Sequence, residues 1–340
     1  MVEGGDDPYR GGQAWDWFWR GRASSFAAMR TLPPKTRDRL AQAFAFSTVR
    51  VHRKRDADSG LTAKYLFALA DQRMIETVVM HYPASAGQRE RTTICVSSQV
   101  GCPIGCSFCA TGQSGFDRNL TEAEIVDQLL HASRDLAPAR QRVTNVVFMG
   151  MGEPLNNYGA VVAAVRRWAR KDTLNFSPRR VTISTIGLVP FIERLSESGL
   201  PVNLAISLHA PDDALRSRLI PVNRKYPIAA VVKAARAHAE RTGRRTSYEY
   251  VLLRGVNDSL AQARSLAAIV RHPLSHVNLI PMNRVEGSGF VPPSRDRAEA
   301  FQAVLQGSGI STTIRATRGL DIDAACGQLR ARELAEPVRA

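Results

Sequence analysis

The feature that most restricts the fold is a texture that begins near residue 91. Short apolar segments rich in β-branched residues alternate with amphipathic ones, and polar loops separate them. Strands are expected at 92–97, 143–149, 180–185, 202–208, 247–253, 276–280 and 312–315. Between them the 3.6-residue periodicity marks helices near 121–136, 160–171, 190–198, 227–241, 259–271 and 294–307, with further helical pattern up to Leu219. Thr121 and Glu124 form a capping box at the start of the first of these. Apolar strands regularly followed by helices imply a parallel sheet buried on both faces. Six such units are too few for a closed eight-fold barrel. The expected fold is therefore α/β, an open or partial (β/α)6 barrel with its site in the loops after the strand C-termini.

Two smaller regions precede this barrel. Residues 1–45 read as a helical accessory module with a basic cast. Trp15, Phe18 and Trp19 fall at i, i+3 and i+4, followed by Phe26 and Met29. That spacing assigns the aromatics to a core rather than to base stacking, and Leu32-Pro33-Pro34 is expected to break the chain. Residues 46–90 read as a small β extension, with strands at 49–54, 61–69 and 74–80. It carries Glu76, which by pattern alone is a solvent-facing strand residue. The barrel occupies 91–330, and 331–340 is a tail.

Composition bounds the function. No run of about 18 apolar residues occurs, so no membrane span is expected. The first residues lack the layout of an export signal. The 46 Lys and Arg outnumber the 31 Asp and Glu, for a net charge of +15. A polyanion such as nucleic acid is the simplest partner for that excess, and a merely basic solvated surface is the bland alternative.

Three of the five cysteines crowd into one stretch, Cys102, Cys106 and Cys109, in a C-x3-C-x2-C spacing. Clustered thiols in a chain expected to stay in the reducing cytoplasm indicate metal or redox chemistry rather than disulfides. Three ligands fall short of a closed tetrahedral zinc site. They suit an iron–sulfur cube with one open iron, to which S-adenosylmethionine is expected to bind. Three inert core cysteines would be the plain alternative. The spacing resembles that of the radical S-adenosylmethionine superfamily.

Polar groups recur just after the expected strands. Gly150, Gly152 and Glu153 follow the second, Ser184 the third, Ser207, Leu208 and His209 the fourth, and Asn283 the sixth. Glycines there are expected to let the backbone approach a ligand, and Glu153 to accept from an amino group. Each alone reads as a turn or a structural side chain. Their shared position at one end of the barrel makes a common pocket the better reading.

Taken together the chain resembles the RlmN/Cfr family, radical S-adenosylmethionine methylases of 23S ribosomal RNA adenine. The resemblance covers nearly its whole length. It runs through Pro8-Tyr-Arg10, Ile75-Glu-Thr-Val78, Cys95-Val-Ser-Ser-Gln-Val-Gly-Cys102, Cys109-Ala-Thr-Gly112 and Arg118-Asn-Leu-Thr121. It continues in Phe148-Met-Gly-Met-Gly-Glu-Pro-Leu155, Ser207-Leu-His-Ala-Pro211, Gly255-Val-Asn-Asp258 and Asp321-Ile-Asp-Ala-Ala-Cys-Gly-Gln-Leu329.

The resemblance implies a complete set of roles. Carbons 2 and 8 of adenine are electron-poor and do not attack a methyl sulfonium. Cys326 takes a methyl from one S-adenosylmethionine and becomes S-methylcysteine. A second S-adenosylmethionine, on the [4Fe-4S] cluster held by Cys102, Cys106 and Cys109, is cleaved by one electron to a radical that activates the methyl for addition to the adenine carbon. Glu76 is the base that removes the adenine proton. Cys95 forms a transient disulfide with Cys326 and frees the base. Gly152, Glu153, Ser184, Ser207, Leu208, His209 and Asn283 are the S-adenosylmethionine contacts. The implied partners are 23S rRNA or its precursor, with tRNA a further substrate of the carbon-2 type, and a one-electron reductase; a cytoplasmic monomer is expected. The target base must leave its stack to reach such a site.

Some positions depart from the family pattern. The stretch between Glu76 and Cys95 is longer than usual. Ser184-Thr-Ile-Gly187 and Gly319-Leu-Asp-Ile-Asp323 lean towards the carbon-8 branch, as in Cfr. Tyr248-Glu-Tyr-Val251 and the stretch after Asn278 lean towards carbon 2, the favoured target. Sulfur insertion would need a second set of cluster cysteines. A non-catalytic metal-stabilised RNA-binding module would need a fourth ligand, His131 or Cys95.

Overall fold

A computed structural model describes residues 6–21, 23–85, 87, 89–283, 285, 287–315, 319, 322–325 and 327–329. Cys326, Leu320, Asp321 and the 331–340 tail lie outside the described residues.

The N-terminal module holds α1 (Tyr9–Trp19) and α2 (Pro34–Ala43). The expected break at Pro33-Pro34 is instead a start. Pro33 caps α2 and Pro34 occupies its first turn, where a missing N–H costs nothing. The aromatic face divides. Trp19 is buried, whereas Trp15 stays 36% exposed and donates its indole N–H to the Asp172 carbonyl at 2.6 Å. Phe18 packs edge-on against Trp19 and Phe46.

Three antiparallel strands follow, β1 (Val49–Ala57), β2 (Thr62–Leu69) and β3 (Met74–Tyr82). The expected small sheet is continuous with the barrel. β3 pairs antiparallel with β4 (Arg91–Cys95), the first barrel strand. The next segment is a short hairpin that periodicity did not reveal, β5 (Gln99–Gly101) and β6 (Phe116–Asn119), enclosing α3 (Ala110–Gln113).

From there the alternation runs as expected. It comprises α4 (Glu122–Leu136), β7 (Asn145–Phe148), α5 (Tyr158–Ala169), β8 (Val181–Thr185), α6 (Val189–Glu197) and β9 (Asn203–Ser207). Then come α7 (Asp213–Leu219), α8 (Ile228–Thr242), β10 (Thr246–Leu252), α9 (Leu260–Val270), β11 (Ser275–Pro281), α10 (Arg295–Gly307) and β12 (Thr312–Ile314). The Thr121–Glu124 capping box opens α4, and a second, Ser259–Gln262, opens α9.

Among the described residues the sheet has ten strands in the order β1-β2-β3-β4-β7-β8-β9-β10-β11-β12. All pairs from β4 to β12 are parallel. Among the described residues β1 and β12 are the two edges, and the C-termini of the parallel strands β4 to β12 point one way. The strands carry fully buried Ile94, Val146, Ile183, Leu204, Ile206, Tyr250, Val277 and Leu279, against helix residues such as Ile125, Val161, Ile192 and Phe301. No helix among the described residues is long and apolar enough to cross a membrane.

Candidate active site

The cysteine loop lies between β5 and α3 and is closed by glycine chemistry. Gly101 has φ +73°, and a Cβ there would lie 2.1 Å from the Gly115 carbonyl oxygen. Only glycine fits so close a crossing. It lets the Cys102 amide donate to Gly115 O at 2.7 Å. The Cys109 amide donates to Cys106 O at 3.2 Å, and the Ser107 amide to Leu219 O at 3.0 Å, which pins the loop to the end of α7.

This loop roofs one cavity at the C-terminal end of the parallel strands. Cys102, Cys106 and Cys109 line it together with Gly152, Glu153, Ser184, Ser207, His209 and Asn283. Six of the seven expected S-adenosylmethionine contacts thus meet. Leu208 does not line the cavity. Its side chain is fully buried, and its backbone serves the sheet, the amide donating to Glu249 O at 3.0 Å. Gly152 lines the cavity and is also closely packed on its protein side. Its φ is +103°, and a Cβ would lie 2.6 Å from the Gln99 side chain.

Glu153 is buried and accepts the amides of Leu155 at 2.9 Å and Ile186 at 2.8 Å. Burial still outweighs these bonds and pushes its carboxyl up to about 7. A cationic amino group in the cavity would restore the charged form. His209 has φ +60°, and its Nδ1 accepts from the Val251 amide at 3.0 Å. Burial, then the Arg216 charge, hold this imidazole down at about 3, so it is neutral and its proton sits on Nε2.

Arg216, which sequence reasoning missed, is fully buried beneath the site. It makes five hydrogen bonds, to the carbonyls of Leu208, Ser207, Ile186 and Tyr226 and to Asn223 Oδ1. It therefore ties the ends of β8 and β9 together. Glu249, also missed, lines the cavity, accepts from Ser247 Oγ at 2.9 Å and Asn278 Nδ2 at 2.8 Å, and is pushed up by burial.

A second cluster lies on the adjoining strands. Val78 on β3 is in register with Cys95 on β4 and with Lys64 on β2. Residues paired across a sheet, and residues two apart on a strand, share a face. Lys64, Glu76 and Cys95 therefore stand on one face. Glu76 is only 3% exposed, so its solvent-facing reading fails, and Lys64 Nζ lies 3.0 Å from its Oε1. Glu76 and Cys95 do not line the cavity of the three thiols. Cys326 lies outside the described residues; its neighbour Gly327 lines the cavity.

The model of the radical SAM superfamily matches residues 96–267 of this chain. A "Probable dual-specificity RNA methyltransferase RlmN" of Moorella thermoacetica is 49% identical over 333 residues, 97% of this chain and 93% of that protein. The protein of the same name from Frankia alni is 50% identical over 311 residues, covering 89% and 73%. A crystal structure of a radical SAM methyltransferase from Sphaerobacter thermophilus superposes with a TM-score of 0.92 at 47% identity, over 97% of this chain and 95% of that one.

The chain belongs to the RlmN family of radical SAM methyltransferases.

As an RlmN-family enzyme it is expected to hold a [4Fe-4S] cluster and S-adenosylmethionine, and the donor set fits both. Burial pushes the Cys102 thiol up to about 12 and Cys106 well above the ordinary thiol range. Such thiols ionise only beside a strong cation, which iron supplies. Among the described residues no three His, Cys, Asp or Glu side chains are arranged to hold a single metal ion. Ligands of a cube each take a different iron, so they need not converge on one point. The fourth ligands that a zinc module would require are elsewhere. His131 packs edge-on against Tyr65 and Phe67, and Cys95 is on β4. Neither lines the thiol cavity.

The missed residues had little signal. Arg216 sits on a short helix and resembles any surface arginine of such a pattern. Lys64 becomes informative only when the strand register places it beside Glu76.

Proposed function

We propose that this enzyme methylates carbon 2 of an adenine in 23S rRNA, and of an adenine in tRNA, through an S-methylcysteine at Cys326. The observation that carries this reading is the common cavity of Cys102, Cys106 and Cys109 with the polar strand-end groups, with Gly327 at its rim. The relatives' printed name, an RNA methyltransferase of dual specificity, supports two RNA substrates. The net charge of +15 supports a polyanionic one.

Each protein group has a task in this reading. Cys102, Cys106 and Cys109 hold the cluster, which when bound supplies the electron that cleaves S-adenosylmethionine. Glu153 and Asn283 bind the methionine end and orient it. Ser184, Ser207 and neutral His209 line the remainder of the S-adenosylmethionine site. Cys326 accepts the methyl group that is transferred. Glu76 takes the proton from the adenine carbon, and Cys95 closes a disulfide on Cys326 to free the product. Two S-adenosylmethionine molecules are used per turnover. The enzyme works as a cytoplasmic monomer with a one-electron reductase, and the 1–45 module holds the RNA.

Carbon 8 is the second reading, favoured by the Ser184-Thr-Ile-Gly187 string. The test is an anaerobic assay of the iron- and sulfide-reconstituted enzyme on 23S rRNA and tRNA. Cys95→Ala is expected to trap RNA covalently on the protein, and Cys326→Ala to give neither adduct nor product. Product from Cys326→Ala would refute the methyl-carrier role.

A further inference from the structure

Lys64 does more than neutralise Glu76. Nζ and Oε1 are 3.0 Å apart, with the two side chains only 11% and 4% exposed. An ion pair buried to this degree gains little over apolar side chains, so the other contacts of the ammonium matter. The same Nζ lies 3.4 Å from the backbone carbonyl oxygen of Asp323, three residues before Cys326 in the chain.

The segment around Asp323 is anchored on the start of β2. The Asp58 carboxylate accepts the Gly319 amide at 3.0 Å and the Thr62 hydroxyl at 2.5 Å. A Cβ on Gly319 would lie 2.7 Å from Ala324 Cβ and 3.1 Å from Thr62 Cγ2, so this is close packing. Asp58, Thr62 and Lys64 therefore form one short rail. It holds the C-terminal segment at one end and Glu76 at the other.

We propose that Lys64 is a positioning residue. Its ammonium orients the Glu76 carboxylate and references it to the segment that carries Cys326, so that the base meets an adenine carbon attached to that cysteine. The inference rests on the reading of Glu76 as the base. A general base must sit within hydrogen-bond reach of its proton. A misplacement of about 1 Å costs on the order of 100-fold in rate. Loading of Cys326 does not need the base, and Asp58 still holds the C-terminal segment through the Gly319 amide when Lys64 is replaced, so the effect is expected at one late step.

The test is an anaerobic single turnover with the reconstituted full-length enzyme and a 23S rRNA fragment. Four quantities are read: methyl on Cys326, 5′-deoxyadenosine formed, RNA held covalently, and methylated RNA released. In Lys64→Met the first two are expected to stay at the wild-type level. Release is expected to slow about 100-fold, the cost of a misplaced base, and covalently held RNA to accumulate, as in Glu76→Gln. Release at the wild-type rate overturns the proposal. A uniform fall in all four readings also overturns it, because that is the signature of a merely structural lysine. Lys64→Gln keeps a donor and covers the case in which Lys64→Met does not fold. It is expected to raise the covalent fraction, and an unchanged fraction contradicts the proposal. The two readings separate cleanly. Wild-type release by Glu76→Gln removes the base assignment, and the inference falls with it. Wild-type release by Lys64→Met beside a slow Glu76→Gln removes the inference alone.

Discussion

The amide of Ala110, the residue after Cys109, donates to the carbonyl of Gly327, the residue after Cys326, at 2.8 Å. One residue on from Ala110 and two on from Gly327, Thr111 Oγ1 donates to Leu329 O at 2.5 Å, although the two are 218 positions apart. The cluster loop and the C-terminal segment are thus hydrogen-bonded at the first turn of α3. The loop of the three cysteines and Gly327, the neighbour of Cys326 in the chain, are held together by these bonds.

Thr111 offers a way to loosen that join without touching a cysteine. Thr111→Val keeps shape and removes the buried donor, leaving the Leu329 carbonyl short of a partner at a cost of about 1–3 kcal/mol. Iron content and visible absorbance are expected to match wild type. Methylation of Cys326 and RNA product are expected to fall together, by about tenfold if about 1.4 kcal/mol is lost from the docked state. An equal loss of iron would show that the bond serves the cluster loop instead.

Gly101→Ala attacks the loop itself. The new Cβ would overlap the Gly115 carbonyl and strain a left-handed backbone. A destabilisation of about 3 kcal/mol or more is expected from strain and overpacking. Denaturant unfolding checks the stability, and iron analysis after reconstitution is expected to show poor cluster retention.

Arg216 tests the strand ends. Arg216→Met removes five hydrogen bonds and leaves four buried carbonyls to find other partners. Each buried acceptor left without a partner costs about 1–3 kcal/mol, readable as a lower urea midpoint with an unchanged m-value. The guanidinium also contributes to holding His209 neutral. The variant's His209 is therefore expected to titrate at higher pH by NMR.

The sequence showed the barrel well and the site unevenly, for physical reasons. Strands buried on both faces leave continuous apolar runs, so all seven parallel strands were found within a few residues. The β5–β6 hairpin has short strands and a mixed pattern around the glycines, and periodicity does not detect it. Cys102, Cys106 and Cys109 were legible because ligand spacing is local. Glu76 stood out only through the family resemblance and Lys64 not at all, because their meeting depends on the register of β2 against β3. Pro33 and Pro34 were read as a break because a proline pair marks either an interruption or a helix start, and only the backbone distinguishes the two.

His238 sets a pH dependence far from the chemistry. Its Nδ1 is 2.9 Å from Ser196 Oγ, and burial, then Arg244, hold the imidazole down at about 4 from an ordinary 6.5. The folded state therefore resists protonation that the unfolded chain accepts. Stability from this site is full above 6.5 and is lost as the pH falls towards 4, by up to roughly 3 kcal/mol. Urea unfolding across that range is expected to show the decline, and His238→Gln to flatten it. A slope unchanged by the substitution would assign the decline to other groups.

The proposed reaction places a methyl group on carbon 2 of adenine. Mass spectrometry of digested 23S rRNA and tRNA, from cells with and without the chain, tests it directly. 2-Methyladenosine is expected in both RNAs when the chain is present, and its loss when the chain is absent or carries Cys326→Ala. A methyl on carbon 8, or RNA that is identical in both cells, would contradict it.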